Sequence, residues 1–389
     1  MRPAWPELRA LALNHFAGTF GFALSFPFLS VYCHKILGVS ITETGIAFGI
    51  LGLVRALSQY LGGELADRGS VVRLMSISLF TRSFLFALVA LGIYFRIGFY
   101  PIILLSFFQT VAGSVHQMAS QNAVSILLPD EQKMHGFAVT RAASNIGFAA
   151  GPAAGGWLVG YSYVIPFTLT AVLLLVSIVP LMSLNVRGRT AIARTSGEKE
   201  TLPMSFIVYL FAVFLVASVM AQIITPMSLY LVGMKGIGES NLGWLYALNG
   251  LIVGLLQVKM MHVFRAISYL RVMIIGSITY FVGYAALGMQ DGLPWYVFTT
   301  MLITLGEMLV APPSVAHAER IAPTHRTGRY LGLVGFSAAL GWAFGPTYGS
   351  WLLEQTDNST LAWCIIALPA LMSAAIMMIL DKKTNIART

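Results

Sequence analysis

Hydrophobic residues occur along this chain in long, nearly continuous runs that are separated by short polar or glycine-containing breaks. A helix that crosses the hydrocarbon core of a bilayer needs about 20 mainly apolar residues, and each run reaches that length. The pattern therefore predicts an all-α membrane protein. Its twelve transmembrane helices are expected near residues 8–33, 42–63, 74–95, 99–127, 137–160, 163–186, 203–232, 241–262, 271–290, 294–318, 329–353 and 360–380.

The longest polar stretch divides this pattern in half. It begins with "RGRTAIARTSGEKET", which is charged and has no apolar period. We therefore expect an N-terminal six-helix bundle over 1–186, a cytoplasmic linker over 187–202 and a C-terminal six-helix bundle over 203–389.

Lysine and arginine fix the orientation, because cytoplasmic loops carry an excess of them. One set of alternate loops contains Lys35, Arg96 and Lys235, whereas most of the 24 basic residues lie in the opposite set or at the chain ends. Both termini are therefore expected in the cytoplasm of a multi-pass protein, in the inner membrane of a bacterium. The net charge of +9 then reflects topology, and nucleic acid is not an expected partner.

Composition agrees with this class. The chain is 57% hydrophobic and 10% charged, and its mean hydropathy is +0.78, whereas soluble domains carry about 25% charged residues. Phosphate-binding loops, nucleophile elbows and His/Cys metal spacings are not found in the sequence. We expect no enzyme activity, no cofactor and no metal site.

Two glycine-rich stretches repeat each other in the fifth and eleventh predicted helices. They read "GFAAGPAAGGWL" at 147–158 and "GWAFGPTYGSWL" at 341–352. Small residues three or four apart let two helix backbones approach closely, and proline bends a helix. The repeat predicts close packing, a hinge during transport, or both, at Gly147, Gly151, Pro152, Gly155, Gly156, Gly341, Gly345, Pro346 and Gly349.

The loop "GELADRG" at 63–69 and the Gly-Pro motif of the fifth helix together resemble the major facilitator superfamily, and its twelve-helix drug/proton antiporter branch in particular. The resemblance implies two pseudo-symmetric six-helix bundles. It also implies a conformational latch formed by Gly63, Asp67, Arg68 and Arg73, although Asp67 could instead cap the following helix. The branch usually has an arginine on helix four where this chain has Gln109.

Glu307 is the acidic residue that the pattern places deepest in a span. A carboxylate at that depth is costly and usually faces a cavity or a partner. We expect it to carry protons, and the alternative is a structural pair with an intramembrane arginine.

Polar side chains at helical spacing mark the expected substrate cavity. Helix four has a polar face, and Arg55 is expected near mid-membrane. Arg82 and Arg141 are expected nearer the cytoplasmic end, where they could extend toward the headgroups. His116 could relay protons or be a satisfied buried histidine. The candidate cavity residues are Arg55, Gln109, Gly113, His116, Gln117, Ser120, Gln222 and Asn249.

These features predict a secondary active transporter that exports a small organic molecule against inward proton movement, by rocking its two halves. Its expected partners are that substrate, protons and the lipid bilayer, and a monomer is expected. One alternative is uptake, exchange or uniport of an anionic metabolite or a lipid. Another is a membrane receptor or scaffold that transports nothing.

Overall fold

The computed structural model describes residues 5–68, 70–184, 202–323 and 326–386. In this part of the chain the structure contains twelve long helices and no strand, which confirms the all-α fold expected from the hydropathy pattern. The predicted linker, apart from residue 202, lies outside the described residues.

The helices follow the hydrophobic runs closely, and three of them change geometry near an end. Helix α1 (Trp5–Val31) continues as a π-helical turn over Tyr32–Ile36, and helix α6 (Val164–Val176) is followed by a short helix over Val179–Met182. Helix α7 (Met204–Met220) continues through short helical segments to Met234. The bounds are α1 Trp5–Val31, α2 Ile41–Arg68, α3 Val71–Phe95, α4 Phe99–Leu127, α5 Asp130–Val159, α6 Val164–Val176, α7 Met204–Met220, α8 Glu239–Val263, α9 Tyr269–Leu287, α10 Leu293–Ile321, α11 Thr327–Gln355 and α12 Ser359–Ile386.

Ten of these helices are long and apolar enough to cross a membrane by length and composition. The other two are α5 and α11, which are also long but contain many glycines and polar residues. Those residues lower the mean hydropathy of the helix, so the two glycine-rich helices give the weakest hydropathy signal. Both helices remain continuous through an internal proline, Pro152 in α5 and Pro346 in α11.

The chain folds into two compact units, and each unit takes a segment from the opposite half of the sequence. The first unit contains the described residues of 1–39, 54–197 and 238–254. The second contains those of 40–53, 198–237 and 255–389. Thus the first part of α2 belongs to the second unit, and the first part of α8 belongs to the first unit.

In the first unit, α5 lies directly on the backbone of α1. An ideal Cβ atom at Gly147 would lie 2.8 Å from the carbonyl oxygen of Phe16, and one at Gly155 would overlap the carbonyl oxygen of Leu24. The absence of a side chain at these positions is therefore what allows the two backbones to touch.

The opposite side of α5 packs on the segment of α8 that belongs to the same unit. An ideal Cβ at Gly156 would lie 3.1 Å from the Cα of Gly243, and one at Gly250 would lie 2.7 Å from the Cα of Ala149. Helix α5 is consequently held by close backbone contacts on two sides.

The second unit repeats this arrangement around α11. An ideal Cβ at Gly341 would lie 2.6 Å from the carbonyl oxygen of Phe214 on α7. The first part of α2 packs on another face of α11, where an ideal Cβ at Gly52 would lie 2.8 Å from the Cα of Ala343. The sequence repeat therefore corresponds to a repeat of helix contacts.

We predict that Gly155→Ala lowers the stability of the folded protein by about 1–3 kcal/mol, because the added methyl group enters a filled contact. Its Cβ would lie 2.8 Å from the Phe28 ring and against the Leu24 backbone. Gly332→Ala in α11 is the control, since no atom lies within 4 Å of its ideal Cβ. Thermal unfolding of the detergent-solubilised protein measures both, and equal changes in Tm would contradict the packing argument.

Candidate functional site

The polar residues of α4 form one stripe along the helix, spaced three or four apart. Gln109, His116 and Ser120 are buried, whereas Gly113 and Gln117 are half-buried. Each part of the stripe faces a different neighbouring helix of the first unit, so the stripe lies inside the bundle.

At one end of the stripe, His15 of α1 connects α4 to α5. Its Nε2 atom lies 2.6 Å from the Ser120 hydroxyl, and its Nδ1 atom lies 3.1 Å from the Ser144 hydroxyl. A neutral imidazole donates from one nitrogen and accepts at the other, so both hydroxyls satisfy it in either tautomer. This histidine ties three helices together.

In the middle of the stripe, Arg55 of α2 meets Gln117. The Nη2 atom of Arg55 donates a hydrogen bond to the Gln117 side-chain oxygen over 3.3 Å, and the Ser114 hydroxyl donates to the Arg55 carbonyl over 3.2 Å. Arg55 is exposed, so this part of the stripe borders open space.

Arg82 of α3 is buried, with 8% of its surface exposed. Its guanidinium carbon lies 5.6 Å from the centre of the Phe22 ring. An ideal Cβ at Gly113 would lie 3.2 Å from its Nε atom, so this glycine leaves room for the guanidinium group. The expectation that Arg82 extends to the headgroups is wrong, because the residue sits near the middle of a 25-residue helix opposite this recess. The sequence signal for its burial was its position near the middle of the helix.

Beside Arg82 lie further buried polar groups. His116 is close enough to Arg82 and His15 for their charges to interact, and it hydrogen bonds to the Met75 backbone. The Gln109 amide donates to the Thr110 hydroxyl over 3.2 Å.

Glu307 lies near the middle of α10, a 29-residue helix of the second unit, and is half-buried. Its carboxylate is an electrostatic neighbour of the buried Tyr280 hydroxyl on α9. The Gln257 amide donates to the adjacent Met308 carbonyl over 3.1 Å. Tyr280 is thus a polar neighbour of the carboxylate, and the Gln257 amide bonds to the backbone one residue farther along the helix.

The other two candidate cavity residues lie apart from the α4 stripe. Gln222 is buried at the end of α7, where its amide donates to the carbonyls of Ser218 and Gly345 over 2.9 and 3.0 Å. It therefore takes part in the contact between α7 and α11. Asn249 is buried on α8, in the segment that belongs to the first unit.

The candidate latch lies between the end of α2 and the start of α3. Gly63, Asp67 and Arg68 occupy the last two turns of α2, and the structure describes their backbone alone. The N-cap of α3 is Ser70, whose hydroxyl accepts from the backbone N–H of Arg73 over 3.5 Å. Arg73 is exposed.

A contact that the sequence pattern did not predict joins α1, α6 and α8 at one end of the first unit. The Lys35 ammonium group lies 2.7 Å from the Glu239 carboxylate, and the Tyr163 hydroxyl donates to the same oxygen atom over 2.9 Å. Burial, together with the nearby carboxylate, raises the pKa of Tyr163. The available signal was an acidic residue, Glu239, just before a predicted helix, together with a lysine, Lys35, in another loop expected on the same side of the membrane.

Among the described residues, His, Cys, Asp and Glu side chains form no group of three or more that could hold a metal ion.

We predict that Ser120→Ala lowers the stability by about 1–3 kcal/mol, because it leaves the Nε2 atom of His15 buried without its partner. Ser106→Ala is the matched control on the same helix, because among the described residues the Ser106 hydroxyl bonds within α4, to the Ile102 carbonyl. Thermal unfolding should show a larger loss for Ser120→Ala, and a larger loss for Ser106→Ala would contradict the role of His15.

Comparison with known proteins places this geometry in a family. The model of the Major Facilitator Superfamily matches residues 11–346, with a second match over 209–388. The chain is 24% identical over 360 residues to the MFS-type transporter YqjV of Bacillus subtilis, covering 89% of this chain and 87% of that protein. It is 22% identical over 366 residues to Multidrug resistance protein 2 of the same organism, covering 88% of each.

A solved structure of a POT family transporter in complex with 5-aminolevulinic acid has the same fold. It superimposes with a TM-score of 0.80 at 15% sequence identity, covering 97% of this chain and 96% of that one. The relatives and this structural neighbour are transporters, and the expectation that the chain is not an enzyme is confirmed. The family model matches nearly the whole chain, and the structure has the twelve-helix fold. The protein is therefore a multi-pass membrane transporter that belongs to the Major Facilitator Superfamily.

Proposed function

We propose that this transporter exports a small organic molecule across the bacterial inner membrane and is driven by protons that move inward. The similarity to Multidrug resistance protein 2 supports export as the direction. Family members move small-molecule substrates, often together with protons.

The observation that carries the proposal is the position of Glu307. A half-buried carboxylate in the middle of a 29-residue apolar helix is expensive to keep charged. Protonation removes that cost, so proton binding changes which environment the side chain favours. A group with this property can couple proton movement to a conformational change.

The conformational change would use the glycine-proline stretches of α5 and α11 and the loop after α2. Flat glycine surfaces allow helices to slide or tilt without losing contact. Under this proposal, Gly63, Asp67, Arg68 and Arg73 form the latch that steadies one state, and residues 1–186 rock against 203–389. The α4 stripe with Arg55 and Asn249 would line the substrate pathway of a monomer.

We predict that Glu307→Gln abolishes uptake into inverted vesicles driven by an imposed pH gradient, because glutamine cannot carry the proton. Ethidium and carboxyfluorescein serve as a cationic and an anionic fluorescent substrate. Glu319→Gln is the matched control, since Glu319 is an exposed residue nearer the end of the same helix. Normal pH-driven uptake by Glu307→Gln would overturn its role, and loss of uptake in Glu319→Gln would make the effect nonspecific.

The positive-inside pattern gives a separate prediction for topology. A green fluorescent protein fused after Thr389 should fluoresce, and alkaline phosphatase fused at the same place should be inactive, because both tags would be in the cytoplasm. Active phosphatase with a dark fluorescent protein would place the C-terminus outside.

A further inference from the structure

The first unit contains a cluster of basic side chains with no acidic partner in the described part of the chain. Arg82 and Arg55 are close enough for their charges to interact, and His116 is close enough to interact with the charges of Arg82 and His15. Three basic residues elsewhere in the described part of the chain, Lys35, Lys235 and Arg271, each pair with a carboxylate. Among the described residues, neither Arg82 nor Arg55 has such a pair.

The buried end of this cluster is incompletely hydrogen bonded. The Nε atom of Arg82, the Nδ1 atom of His116 and the side-chain oxygen of Gln109 are all buried, and none has a hydrogen-bond partner in the described part of the structure. All three residues are more than nine-tenths buried. The Nε–H group of Arg82 lacks an acceptor, whereas the side-chain oxygen of Gln109 lacks a donor. A buried charge without a partner is strongly unfavourable, so a group that supplies the acceptor missing at Arg82 would be held tightly.

We propose that Arg82, with Arg55, forms a site for the anionic group of the transported substrate, a carboxylate or a phosphate. The proposal deepens the proposed function, on which it rests for the assumption that the bound molecule is substrate. The planar guanidinium fork matches both oxyanions, and such charge-assisted bonds are about twice as strong as neutral ones.

The two arginines would act at different depths. Arg55 is exposed and is held by Gln117, so its charge attracts the anion where the stripe borders open space. Arg82 lies behind it in the recess opposite Gly113, so it receives the anion in a less polar environment where the attraction is stronger.

The uncharged neighbours fit the same role. The Gln109 amide can present its NH₂ group to the site by rotating half a turn, provided that the Thr110 hydroxyl turns its proton from the Ser106 carbonyl to the amide oxygen. The aromatic face of Phe22, beside the Arg82 guanidinium group, leaves the edge of that group available for an oxyanion. Two adjacent positive charges would also repel a cation from this position.

We test the site by binding to the purified full-length protein in lipid nanodiscs at constant ionic strength. The probes are benzoate, phenyl phosphate, neutral benzamide and cationic benzamidine. Because a ligand that binds only the folded state raises Tm, benzoate, phenyl phosphate or both should stabilise the wild type, and benzamide and benzamidine should not. The more effective anion identifies the substrate group as a carboxylate or a phosphate.

Arg82→Gln should weaken anion binding about tenfold or more, because one charge-assisted bond is lost. Arg141→Gln is the matched control, since Arg141 is an exposed arginine of α5, and it should bind like the wild type. If Arg82→Gln does not fold, Arg55→Gln at the exposed end carries the same test.

Three results would overturn the proposal: no stabilisation by either anion, equal stabilisation by benzamide, or unchanged anion affinity in both arginine variants. Glu307→Gln separates this outcome from the proposed function. If the anion site exists, Glu307→Gln should still bind the anions even though its proton-driven transport is lost. If only the proton-coupling proposal is wrong, anion binding should still be weakened by the Arg82 and Arg55 variants and by no other variant.

Discussion

The contact between bare helix backbones on α5 and α11 is the constraint on which the rest of the structure depends. At Gly155 there is no space for even one methyl group beside the Leu24 backbone, and Gly341 has the same relation to α7. These contacts fix how close α5 lies to α1 and α8, and how close α11 lies to α7 and α2, so they set the helix spacing within each unit. Glycine is unfavourable for an isolated helix in water, and here that cost is offset by packing that no larger residue permits.

Burial of charge without direct neutralisation is the second organising feature. The first unit gathers Arg55, Arg82, His15 and His116 around one polar face, whereas Glu307 lies in the second unit. His15 is satisfied by two serine hydroxyls and needs no charge. Arg82 differs, because its ring contact with Phe22 lowers the cost of burial only in part. The polar interior is therefore fully bonded at one end of the stripe and open to a further acceptor at the other.

Much of the fold could be predicted from the sequence, because a bilayer span has a fixed length and composition and so leaves a clear hydropathy pattern. The polar face of α4 also followed from helical spacing. The burial of Arg82 could not be predicted in this way, because its recess depends on Gly113 of another helix. Hydropathy carries no information on which residues face each other. The ion pair between Lys35 and Glu239 joins residues about 200 positions apart, and the buried amide of Gln222 bonds to the backbone of α11. Contacts of this kind arise only once the helices are packed, so a local pattern cannot reveal them.

The exchange of helix segments between the two units has a consequence for the order of assembly. The first part of α2 is synthesised early, but the surface of α11 on which Gly45 and Gly52 pack emerges almost 300 residues later. The first part of α2 therefore has no α11 surface to pack on until that helix has been synthesised. The packing of α2 therefore depends on the synthesis of α11, so the second unit is completed by a contact between residues that lie far apart in the sequence.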